Sequence, residues 1–220
     1  MITARTIEDD RAAALRVTPV SHETALRLDN FVELLLRWQK AVQLVAPSTL
    51  SSLWTRHIAD SLQLIDLAPD SKTWIDLGSG AGFPGLVIAI ALAEQPEAQV
   101  HLVESDHRKC AFLREAARVT GAKAGVHSER IEAFIGRLAG QVEVVTARAL
   151  APLPRLLDLA APLLEAGARG IFLKGQDVDK ELTGAAKSWK IRYDLVPSRT
   201  DERARIVVVY EAVRRPVTPR

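Results

Sequence analysis

The sequence predicts an α/β protein: a doubly wound, seven-stranded, mostly parallel sheet with one antiparallel strand, preceded by an N-terminal helical cap. Two observations predict it. From Lys72 onward, strand-length apolar runs alternate with helical stretches, the pattern of repeated βα units joined by right-handed crossovers. The first of those strands also breaks into glycines at Gly78, Gly80 and Gly82 just before a helix-forming run. Such a turn lets a ligand approach bare backbone at a helix N-terminus.

Residues 1–18 are polar and alanine-rich without a sustained period, and are expected to be loose. From about residue 21 to 44, Leu28, Phe31, Val32, Leu35, Leu36, Val42 and Val45 recur at helical spacing, with Ser21 and Glu23 as capping candidates. The A-P-S break at 46–48 leads to a second helix over 50–67, closed by P-D-S at 69–71. Strands are predicted at 73–77, 99–104, 124–127, 142–147, 169–173, 190–197 and 205–213. Helices are predicted between the first six, at 84–94, 106–120, 129–136, 154–165 and 176–188. No helical stretch separates the last two strands, so they should pair as an antiparallel hairpin. The expected division is a flexible 1–18, a helical cap over 19–70 and a ligand-binding domain over 71–220. Five βα units ending in a hairpin describe the sheet of Rossmann-like class I methyltransferases.

At 48% hydrophobic and 25% charged residues the chain can bury a core, which excludes a disordered protein. A net charge of +2 offers no global attraction for nucleic acid, so any such binding must rest on a local basic patch. The single cysteine, Cys110, excludes an internal disulfide, and no Cys/His spacing suits zinc. The longest apolar run, residues 86–93, is less than half of the roughly 20 residues a bilayer span needs. Glu8, Asp9, Asp10 and Arg11 stand where a signal peptide would need an apolar core. The expectation is a cytoplasmic monomer with no metal and no membrane contact.

Two ligands compete for the glycine turn. G-A-G-F-P-G at 80–85 is a dinucleotide fingerprint, and Glu104 follows near the ribose-binding distance. One step earlier, D-L-G-S-G-A-G from Asp76 suits S-adenosylmethionine (AdoMet). The Asp76 carboxylate would repel a pyrophosphate but welcome a sulfonium and an ammonium. Glu104 can accept both ribose hydroxyls in either case, so Asp76 is the discriminating residue. At the third βα junction, Ile131 is placed against an adenine ring, with Glu132 or a backbone amide at its polar edge; a plain capped helix start explains Glu132 equally well.

The fourth strand ends at Arg148. Neither the Asn/Asp-Pro-Pro-aromatic signature of amine methylation nor a nucleophilic cysteine stands there. A guanidinium cannot act as a base, but it can bond to the O6/N7 edge of guanine or to a phosphate. Guanine N7 carries a free lone pair and no proton, so its methylation needs positioning and no general base. A strand-end salt bridge is the alternative role for Arg148.

W-I-D-L-G-S-G-A-G-F-P-G at 74–85, R-H-I-A-D-S at 56–61, V-V-T-A-R-A at 144–149 and F-L-K-G at 172–175 together resemble the RsmG (GidB) family of bacterial 16S rRNA guanine-N7 methyltransferases. The resemblance covers roughly residues 25–210. It implies AdoMet as donor, S-adenosylhomocysteine as product, and one guanine of the decoding-centre loop, nucleotide 527, as acceptor in rRNA or the small subunit. It places Gly78, Phe83, Ile131, Glu132 and Arg148 around AdoMet, beside the Asp76, Gly80, Gly82 and Glu104 read from the turn. The family's usual W-N-K-x-x-N-L-T is here W-Q-K-A-V-Q-L-V at 38–45, a departure in a segment otherwise expected to touch RNA.

In the second helix Arg56 and Asp60 are four apart, as are His57 and Ser61, so each pair should share a face. That face either carries an exposed Arg56–Asp60 ion pair and packs the cap, or closes over the cofactor mouth and touches RNA. Lys174, on the same sheet edge, is expected to be a phosphate contact or a solvated lysine. The basic tail at 214–220 is expected to help steer RNA. Trp54 and Trp189 are expected in the core or at an interface.

Overall fold

A computed structural model describes residues 4–216. Runs rich in Val, Ile and aromatic residues form β1 (Thr73–Leu77), β2 (Gln99–Glu104), β3 (Ala124–Ser128), β4 (Val144–Arg148), β5 (Arg169–Lys174), β6 (Trp189–Pro197) and β7 (Arg205–Arg214). They assemble in the order β3-β2-β1-β4-β5-β7-β6. The pairs from β3 through to β5 are parallel, whereas β7 runs antiparallel to both β5 and β6. The predicted seven-stranded sheet, its one reversed strand and its terminal hairpin are all present. After β1 the chain moves outward through β2 and β3, then returns to start β4 on the other side of β1. That reversal opens a crevice at the carboxyl ends of β1 and β4.

The helices are α1 (Ala4–Val17), α2 (His22–Trp38), α3 (Asp60–Leu62), α4 (Gly85–Ala91), α5 (His107–Thr120), α6 (Ile131–Phe134), α7 (Leu153–Glu165) and α8 (Val178–Ala185). Alternate residues of β1 serve opposite cores: Trp74 joins the cluster under α2, α4 and α5, while Ile75 and Leu77 join the one under α7 and α8. Trp54 lies in the first core and Trp189 in the second, each 1% exposed. Both tryptophans are therefore core residues, as expected. No helix among the described residues is long and apolar enough to cross a membrane.

Three N-terminal expectations change. Residues 4–17 form a helix where a loose end was predicted. One of the acids that hid its periodicity, Asp10, docks it together with the neighbouring Arg11. Asp10 accepts from the backbone N–H of Trp54 (2.7 Å) and of Thr55 (3.3 Å), donors left over at the start of a helical segment. Arg11 makes a two-pronged pair with Asp29 on α2 (2.6 and 2.8 Å). The predicted helix over 50–67 is instead a 3-10 turn (Pro47–Ser52), a π turn (Trp54–Ala59), the short α3 and a second 3-10 turn (Ile65–Leu67). Finally, α2 stops at Trp38, short of the predicted residue 44. There the Gln39 side chain takes over backbone pairing: Oε1 accepts from Leu44 N–H (2.9 Å) and Val45 N–H (3.0 Å), and Nε2 donates to the Val45 carbonyl (2.8 Å).

Of the tail expected to steer RNA, residues 217–220 lie outside those described. Arg214 is committed to the protein itself. It pairs with Asp158 at 2.7 Å and lies over the Trp189 ring at 4.7 Å.

Candidate active site

The glycine turn is held under β2 by backbone bonds. Gly78 and Ser79 N–H donate to the Val103 carbonyl (2.9 and 3.0 Å), and Gly82 N–H donates to the Ser79 carbonyl (2.7 Å). Gly78 has φ +67°, and a Cβ there would meet Leu150 Cδ1 at 2.7 Å. This position therefore takes only glycine without rearrangement. Gly80 N–H donates to Glu104 Oε2 (2.9 Å), and Asp106 N–H donates to Glu104 Oε1 (2.8 Å). Each Glu104 oxygen keeps a further lone pair, and Glu104 borders a cavity of about 540 Å³, within the usual range for a small-molecule site. A vicinal diol, with its two O–H donors, complements that carboxylate.

Gly78, Gly80, Phe83, Glu104, Ile131, Glu132 and Arg148 all border this cavity. Ile131 is half-buried at the start of α6, and Glu132 beside it pairs with Arg155 at 2.6 Å. Two predicted residues do not reach the cavity. Gly82 turns the chain behind it, and Asp76 points into the protein.

Asp76 is 1% exposed. One carboxylate oxygen accepts from Gly85 N–H (3.2 Å) and the other from Thr146 Oγ (3.1 Å). The fit is close, since a Cβ on Gly85 would lie 2.5 Å from Asp76 Cβ. Burial pushes the Asp76 carboxyl up to about 6, against the pull of these hydrogen bonds. The sequence-based choice between ligands gave Asp76 direct contact with the ligand. In the structure it instead fastens the start of α4 to β1.

Arg148 is the hub of the opposite wall. Its guanidinium donates to His57 Nδ1 (2.6 Å) and to the Arg56 carbonyl (3.1 Å), faces Asp60 Oδ2 at 3.7 Å and lies over the Phe83 ring at 5.0 Å. His57 stacks on Phe83 with ring centroids 4.9 Å apart. Arginine can only donate, so His57 Nδ1 must accept, and the ring proton sits on Nε2, bonded to Thr49 Oγ at 2.9 Å. Burial first, then the Arg148 and Arg56 charges, push His57 down to about 3. It is a neutral imidazole with both nitrogens occupied.

The π turn changes the pairing expected from helical spacing. Asp60 faces Arg148 and not Arg56, whose side chain is exposed. Asp60 Oδ1 accepts from Thr200 Oγ (2.8 Å) and Gln63 Nε2 (2.8 Å), tying the β6–β7 loop to the N-terminal helices. Lys174 also differs from expectation. Its side chain is 8% exposed, and its ammonium is taken by Glu181 (2.6 Å) and the Ala151 carbonyl (2.9 Å), so it braces the chain after β4 and does not present a free charge.

A second cavity, of about 770 Å³, adjoins the first. The two share His57, Arg148, Ala149, Leu150 and Ala151, and Asp60 borders only the second. Sequence reasoning missed the residues that shape this junction. Ala149 adopts φ +53°, which turns the chain sharply after β4, and nothing in its identity announces that. Leu44 and Val45 wall the first cavity because Gln39 holds them there. The amide at the helix end was a visible signal for that clamp.

The sheet order is that of the Rossmann-like fold of class I methyltransferases, with a cavity at its carboxyl edge. Two solved structures share the fold. A putative O-methyltransferase from Klebsiella pneumoniae aligns with TM-score 0.58 at 12% identity, over 93% of this chain and 96% of that one. A variant of MtNAS in complex with S-adenosylmethionine aligns with TM-score 0.52 at 16% identity, over 84% and 75%. The profile of the GidB family, rRNA small subunit methyltransferase G, matches residues 25–204. The ribosomal RNA small subunit methyltransferase G of Bradyrhizobium sp. (strain BTAi1) is 57% identical over 209 residues, which is 95% of this chain and 94% of that one. The chain belongs to the GidB family of small-subunit rRNA methyltransferases.

Proposed function

We propose that this protein transfers a methyl group from AdoMet to N7 of a single guanine in the decoding-centre loop of 16S rRNA, in line and without a general base. The observation that carries the reading is a pair of adjoining cavities: one backed by the glycine turn and Glu104, the other joined to it at Arg148. The first suits AdoMet. Glu104 has lone pairs for the ribose diol, and Ile131 offers an apolar face to the adenine. When bound, AdoMet supplies an electrophilic methyl on a cationic sulfur. Behind the turn, the buried Asp76 contributes negative potential without touching the ligand.

The second cavity suits a base presented for methylation. The imidazole at the junction has no free nitrogen to take a proton, which supports an acceptor that has none to give. N7 is such an acceptor, and holding it in line suffices. Arg148 cannot grip O6 and N7 together during transfer, because the N7 lone pair must face the methyl group. It is left with O6 or a phosphate. Exposed cations such as Arg56 would add attraction for the RNA backbone, with affinity falling as salt rises.

The test is product mapping. Small-subunit rRNA or particles incubated with protein and methyl-labelled AdoMet should carry N7-methylguanine at one position. A methyl on an exocyclic amine, or calorimetric binding of NAD(H) without AdoMet, would overturn the reading. Glu104→Ala should weaken AdoMet binding at least about tenfold, since hydrogen bonds to a charged carboxylate are lost. Unchanged affinity would place the ribose elsewhere.

A further inference from the structure

Asp60 combines two features that a purely structural carboxylate does not need. Its Oδ1 makes the structural bonds, to Thr200 and Gln63 at 2.8 Å each. Among the described residues its Oδ2 has only Arg148 Nη1, at 3.7 Å, beyond hydrogen-bond length. The carboxylate is thus clamped through one oxygen, leaving the other with spare acceptor capacity on a residue that borders the second cavity.

The order of groups around the two cavities matches the order of groups around a guanine. Going round the base from N7, the next positions are O6, then N1–H, then the 2-amino group: acceptor, acceptor, donor, donor. If N7 faces the first cavity, O6 comes at the junction and the N1/N2 edge lies further into the second. Arg148, a donor, borders both cavities, whereas Asp60, an acceptor, borders only the second. Adenine would set its unprotonated N1 against the carboxylate and offer no 2-amino group.

We propose that Asp60 is a specificity-determining residue that reads the acceptor guanine, its Oδ2 accepting from the N1–H and 2-amino donors while Arg148 meets O6. This rests on the guanine-N7 reading above. A site built to bond a substrate N–H rejects the analogue that lacks it, because its own polar group is left unpaired.

The experiment replaces the acceptor guanosine with inosine, which keeps N7, O6 and N1–H and lacks only the 2-amino group. Small-subunit particles reconstituted with either rRNA are assayed with the wild-type protein and with Asp60→Asn, and the product is mapped in each. The wild type should show kcat/KM at least about tenfold lower on inosine. In Asp60→Asn, activity on guanosine should fall and the guanosine-to-inosine ratio should collapse toward one. A ratio as large in the variant as in the wild type, with the methyl still on N7, would make Asp60 a brace for the β6–β7 loop and overturn the proposal. Equal wild-type rates on the two substrates would overturn it without any variant, whether or not Asp60→Asn folds. A methyl found on another atom would instead remove the N7 reading beneath it, so the two failures are distinguishable.

Discussion

Arg148→Ala is expected to abolish methyl transfer and to cost about 3 kcal/mol of stability, the scale for removing one partner of a buried charge pair. The side chains of Arg148 and Asp60 are 17% and 16% exposed. Truncation leaves the Asp60 carboxylate without its counter-charge, His57 Nδ1 without a donor and the Phe83 ring without its cover. Each loss acts on the junction between the two cavities, so activity and stability should fall together. Arg148→Lys sharpens the test. Lysine keeps the charge near Asp60, but one ammonium cannot also meet His57 Nδ1 and the Arg56 carbonyl in the geometry of a planar fork. It should recover part of the stability, read by urea unfolding, while turnover stays at least about a hundredfold below wild type. Wild-type turnover in Arg148→Ala would remove Arg148 from the site altogether.

From sequence Arg148 is either a contact to guanine or phosphate or a strand-end salt bridge, whereas in the structure it also binds His57 and the Arg56 carbonyl and covers Phe83. The sheet was legible because each strand is a local apolar run and each crossover a local helical period. The glycine turn was legible because those backbone angles favour glycine, and Gly78 and Glu104 both border the first cavity. The wall opposite was not legible. It depends on a π turn, which shifts His57 and Asp60 relative to their neighbours, and on partners far away in the chain, Arg148 and Thr200. Helical spacing paired Arg56 with Asp60, a sound inference for a regular helix that fails in a wider turn. For Lys174 and Asp76 the residue type was read correctly as a charge at the carboxyl edge of the sheet, but burial and internal partners set what each charge does.

Asp76→Asn is expected to make the protein more stable at pH 8 and a poorer binder of AdoMet. The folded state holds the Asp76 proton up to about pH 6, whereas an unfolded chain releases it near 3.8. Stability from this group is therefore full below the unfolded value and is lost as pH rises through the folded one. The gap corresponds to roughly 3 kcal/mol at pH 8, an upper bound because the site can relax. The amide removes that cost and preserves the contacts: its oxygen can still accept from Gly85 N–H, and its nitrogen can donate to Thr146 Oγ, whose hydroxyl bonds in either sense. Urea unfolding should show the variant above wild type at pH 8 and the two converging near pH 4, where the native carboxyl is already neutral. An equal difference at both pH values would mean that ionisation of Asp76 is not its cause. If AdoMet binds at the turn as proposed, the Asp76 charge attracts its cationic groups through the field it projects, so AdoMet affinity should fall several-fold in the same variant that gains stability. Unchanged affinity would leave Asp76 as an anchor for α4 alone.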